Sequence, residues 1–100
     1  MTLCPISGLT LRRALLGVLL DARRPLTVQE VVDELLMAGV TPPTRVKSIN
    51  KVIADMLAHQ VRIGRVVRVR RATYAVIPSS MSRSMRYRCR RWRDRLEPTD

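Results

Sequence analysis

Between Thr10 and Ala22 the chain reads TLRRALLGVLLDA, and one surface cannot bury what this segment offers. Leu11, Leu15, Val18, Leu19 and Ala22 recur at three- and four-residue spacing, which makes one face of a helix. Leu16 and Leu20 lie on its other side. A helix that is apolar more than halfway round has to be covered from two directions. Any fold for this chain therefore has to find this first helix a second apolar surface. Pro25 ends the helix, because proline lacks the N–H that a further turn needs.

The next segments supply candidate layers. TVQE, residues 27–30, is a capping box, with Thr27 as N-cap and Glu30 three residues on. Val28, Val31, Val32, Leu35 and Leu36 follow as a stripe, and Gly39 is a C-terminal stop, so a second helix is expected over about 28–38. VTPPT is a rigid connection, with Thr41 or Thr44 as the next cap. A third helix then runs to about residue 60, with Val46, Ile49, Ile53, Met56 and Leu57 inward and Thr44, Lys47, Ser48, Lys51 and Asp55 outward. After Gly64 the period changes from helical to alternating. RVVRVRRATYAVI, residues 65–77, reads as a two-stranded hairpin turning near Arg71-Ala72. Val67 and Val69 are expected inward, Arg68 and Arg70 outward, with Tyr74 and Val76 packed against the valines. The turn has neither Gly nor Asn, which leaves the register open.

The C-terminal stretch SMSRSMRYRCRRWRDRLEP holds the densest charge in the chain. On a helix, at about 100° per residue, Met81, Met85, Cys89, Trp92 and Leu96 fall within about 80° of one another. Arg83, Arg86, Arg90 and Arg93 cover the far side. The expectation is a fourth helix over about 79–97, capped by Ser79 or Ser80 and stopped by Pro98. Its stripe would cover Leu16 and Leu20, from the same chain or from a second copy. The competing reading is a flexible cationic tail, because closely spaced arginines repel one another.

Length and composition narrow the class. One hundred residues make one small domain. Phe is absent and aromatics are 3%, so the core must be built from Val, Leu, Ile, Met and Ala. Net charge is +11, and 17 of the 19 basic residues are arginine. Arginine binds phosphates and base edges with a flat, bidentate fork, which suits nucleic acid; a GC-rich genome would produce the same bias. Residues 62–95 carry twelve arginines against one acid, Asp94. Cys4 and Cys89 are too few for a disulfide scaffold, and both read as reduced thiols of a cytoplasmic protein. With a single histidine, His59, no metal-ligand spacing exists. The longest apolar run, ALLGVLL, is far short of the roughly 20 residues that span a bilayer. Asp33 and Glu34 are neighbours on a helix and do not form an acid/base pair, and no phosphate loop, zinc-protease motif or nucleophile–base pattern occurs. No enzyme, cofactor, membrane contact or small-molecule substrate is expected.

The order helix, helix, helix, hairpin, with RPLTVQEVVDELLMAGV and then SINKVIADMLAHQVRIGRVVRVRRATYAV, resembles the small winged helix-turn-helix proteins common in actinobacteria. The Ser- and Arg-rich extension SMSRSMRYRCRRWR is similar to one that some of them carry. The resemblance covers roughly residues 9–95. It implies a mainly α fold with a small β-hairpin (α+β): a winged helix-turn-helix domain over 9–78 followed by an Arg-rich helix over 79–97. It also implies that helix 3 enters the major groove of duplex DNA while the wing touches flanking backbone. Thr44, Arg45, Lys47, Ser48 and Lys51 would then meet bases or phosphates. Asp55, on the same face, would confine contact to the N-terminal half of the helix. Arg68, Arg70 and Arg71 of the wing, and Arg83, Arg86, Arg90 and Arg93 of the C-terminal helix, would add phosphate contacts. The expectation is a homodimeric, nucleoid-associated DNA-binding regulator in the cytoplasm. A protein-docking module or an RNA binder using the Arg-rich helix is the alternative.

Overall fold

The structure is a computed structural model and describes residues 4–5, 8–41 and 48–92. The described residues form four α-helices, α1 (Gly8–Ala22), α2 (Val28–Met37), α3 (Ile49–Ile63) and α4 (Arg83–Arg90), and two small sheets. A parallel pair joins β1 (Cys4–Pro5) to β3 (Val40–Thr41). A three-stranded antiparallel sheet has the order β2 (Leu26–Thr27), β5 (Thr73–Val76), β4 (Val66–Arg70). The chain is thus mainly α with a small antiparallel sheet, an α+β fold. Among the described residues, no helix is long and apolar enough to cross a membrane.

Helix α1 is covered from more than one direction, as its apolar circumference requires. Leu11, Ala14, Leu15, Leu16, Val18, Leu19 and Leu20 are all buried. Helix α2 packs along one side of it and α4 along another, while α3 packs on α2. The second cover for α1 therefore comes from the same chain. Met81, Cys89 and Trp92 are buried and Met85 is packed against the core; Leu96 lies outside the described residues. Close approach of α4 depends on Gly17. A Cβ there would stand 2.2 Å from both the Cys89 carbonyl oxygen and Trp92 Cδ1. Burial raises the Cys89 thiol pKa, against the opposing pull of Arg13, Arg65 and Arg12, so the thiol is held neutral.

The helix ends follow local rules. The Thr27 hydroxyl accepts from the Glu30 N–H at 3.1 Å, and the Thr27 N–H donates to Glu30 Oε1 at 3.0 Å. Gly39 (φ 80) and Gly64 (φ 93) take the left-handed conformation just past α2 and α3. Two expected starts are corrected. Helix α3 is capped by Ser48, not by Thr41 or Thr44, with the Ser48 hydroxyl accepting from the Lys51 N–H. Helix α4 is capped by Ser82, after a single 3₁₀ turn at Pro78–Ser80, and is shorter than the expected 79–97. Residues 93–97 of that range lie outside the described residues. In both cases the cap that prevails is the serine whose side chain reaches the third residue inside the helix.

The hairpin forms where the alternation begins, with its turn at Arg71-Ala72, and Arg68 and Arg70 are exposed as expected, but the valines expected inward are not the ones that are buried. Val66, not Val67, is buried; Val67 and Val69 are 43% and 47% exposed. The register explains this. Val66 pairs with Val76 and Arg68 with Tyr74, and opposed residues share a face. A shift of one residue turns every side chain over, and a β-bulge between Arg68 and Arg70 shifts the strand again. The turn puts Ala72 at φ 55, and its carbonyl accepts from the Val28 N–H at 2.9 Å. That donor is one of the groups a helix N-terminus leaves without an internal partner, so the hairpin tip is tied to the start of α2.

Candidate nucleic-acid interface

The candidate cationic residues fall into two sets. The first gathers around α3 and the hairpin, which pack on each other. Lys51 is exposed on the first turns of α3 but forms an i,i+4 ion pair with Asp55 at 3.1 Å. Such exposed pairs contribute about 0.3–0.5 kcal/mol, so an arriving phosphate competes with Asp55 at little cost. The Ser48 hydroxyl is engaged in capping. Asn50, one residue into the helix, donates from Nδ2 to Gln29 Oε1 at 2.8 Å and joins α3 to α2. Arg68 and Arg70 of β4 and Arg71 of the turn are all exposed. Thr44, Arg45 and Lys47 lie outside the described residues.

The second set stands on α4. Arg83 and Arg90 are exposed and Arg86 is half-buried; Arg93 lies outside the described residues. Their helix rests chiefly on α1 rather than α3. Two groups missed by the sequence reading belong here. Arg88 is exposed. Tyr87, 57% exposed, lies under the Arg91 guanidinium at 5.3 Å, and Arg91 donates to its hydroxyl. The signal for that pair was available, since residues four apart meet on a helix or its last turn.

Among the described residues, the carboxylates of Glu30, Asp33 and Asp55 are each engaged. Glu30 is bonded to the Thr27 N–H and to Arg24, at 3.0 Å each. The Thr27 N–H and then Arg24 hold its carboxyl below the ordinary glutamate value. Among the described residues, no group of three or more His, Cys, Asp or Glu could hold a metal ion. Comparison with family models, curated proteins and solved structures finds no match to this chain.

Proposed function

We propose that this protein is a winged helix-turn-helix binder of duplex DNA, acting as a transcriptional regulator or nucleoid-type protein. The observation that carries the reading is the sheet order. A short strand between α1 and α2 pairs with the last strand of the hairpin, so the hairpin flanks α3 as the wing of such a domain does. The cationic groups on that side support it. Lys51 lies in the N-terminal half of α3, the part that would meet the groove, and the exposed Arg68, Arg70 and Arg71 would meet phosphates. Because the hairpin turn is tied to α2 through Val28, the wing fits backbone contact better than insertion into a groove.

A homodimer belongs to the same proposal. Its pairing surface has to lie away from Met81, Cys89 and Trp92, which are buried within one chain. The test is duplex-DNA binding by fluorescence anisotropy across a salt series. Displacement of counterions by six or more phosphate contacts lowers affinity by about 10³ or more between roughly 50 and 200 mM salt. Equal affinity at the two salt concentrations, or tighter binding to single strands or duplex RNA, would refute the reading.

A further inference from the structure

An open cleft of about 380 Å³ lies where the C-terminal end of α1, strand β5 and α4 meet. Its size falls in the range of small-molecule sites, roughly 300–1,000 Å³. The walls are apolar, formed by Leu19 and Leu20 of α1, Val76 of β5, and Pro25 and Pro78. Arginines complete the lining. Arg24 is already bonded to Glu30, whereas Arg23 and Arg90 reach the cleft from two different segments. No carboxylate lines it among the described residues. An apolar cleft rimmed by one sign of charge concentrates the opposite ion.

Arg23 adds an independent observation. It follows α1 with φ 54, the left-handed conformation in which glycine is the usual residue. The strained backbone thus carries a side chain that glycine would not supply, and that side chain lines the cleft.

We propose that this cleft binds a small organic anion. The apolar body sits against Leu20 and Val76, and the acidic head lies between Arg23 and Arg90. The cleft shares Arg90 with the cationic set on α4 but includes none of Lys51, Arg68, Arg70 and Arg71, so anion binding there does not depend on the proposed DNA contacts of α3 and the wing.

The experiment is an amide-resolved NMR titration of the full chain with octanoate, alongside octanol and inorganic phosphate as the two half-ligands. Octanoate should shift the amides of residues 19–24, 75–77 and 90 saturably. Octanol and phosphate should each bind at least tenfold more weakly there. Arg23→Gly and Arg90→Gln should each weaken octanoate at least tenfold. Glycine suits the backbone at position 23, so weaker binding in Arg23→Gly cannot be laid to misfolding. Ala75→Phe, which fills the cleft from β5, should abolish the shifts; should it fail to fold, Arg23→Gly decides. Octanol binding as tightly as octanoate, phosphate alone matching it, diffuse unsaturable shifts, or unchanged octanoate affinity in Arg23→Gly would each overturn the proposal.

Discussion

In residues 83–92 arginine outnumbers every other residue type, yet Cys89 and Trp92 there are 0% and 1% exposed. In β4 three of five residues are valine, yet Val67 and Val69 face solvent. The difference comes from geometry rather than composition. A helix sorts its residues by a period of 3.6, so α4 presents arginines outward and a narrow apolar stripe toward Gly17. An edge strand sorts by two, and β4 has core against it only near its beginning. Arginine density is therefore compatible with a buried stripe on α4, and of the β4 valines only Val66 reaches the core.

The largest effect is expected of Trp92→Ala. Removing a fully buried tryptophan typically costs about 3–5 kcal/mol, a large share of the 5–15 kcal/mol expected for a small domain. Urea unfolding checks it. The intact protein, with one tryptophan, should show blue-shifted emission that moves red as it unfolds. A native spectrum already red, with no loss of stability in the variant, would break the docked α4. Gly17→Ala comes next, because its new Cβ meets backbone as well as ring; overpacking of this kind costs about 1–3 kcal/mol.

On the hairpin the expected effects move from stability to binding. Arg68→Ala with Arg70→Ala should weaken duplex-DNA binding about tenfold, roughly 1.4 kcal/mol, and reduce the log–log salt slope by about 1.8. The unfolding midpoint should barely change, since both side chains are exposed. Val67→Thr should alter stability by no more than about 0.5 kcal/mol; a larger loss would show that β4 carries core after all.

The smallest effect concerns Glu30. Its folded carboxyl titrates below the ordinary glutamate value because the Thr27 N–H and Arg24 favour the charged form. A depressed folded pKa stabilises above the unfolded pKa, and that contribution is lost as pH falls through the folded one. The stability difference between the wild type and Glu30→Gln should therefore be present at neutral pH and shrink on acidification below the ordinary glutamate range. A difference independent of pH would remove the charge from the account of the cap.

Features that depend on neighbours in the chain could be read without a structure. The box at Thr27 and Glu30, the stop at Gly39, the hairpin turn at Arg71-Ala72 and the stripe through Met81, Cys89 and Trp92 all rest on short-range spacing. The candidate site was legible in part. Arg68, Arg70 and Arg71 are exposed as expected, but Ser48 serves as a cap and Lys51 carries Asp55 beside it.

Other features involve segments distant in sequence. Leu26–Thr27 is too short to announce a strand, and it becomes one only because β5 is there to pair with it. The facing of β4 depends on its register against β5, in which Val66 pairs with Val76, and one residue of slip would change which valine meets the core. Gly17 looks like a weak point in a helix until Trp92 arrives against it. The sequence alone determined which segments carry apolar faces, since periodicity is local. Which faces meet was decided by packing, as in the close approach of Trp92 to Gly17 and the pairing of β2 with β5.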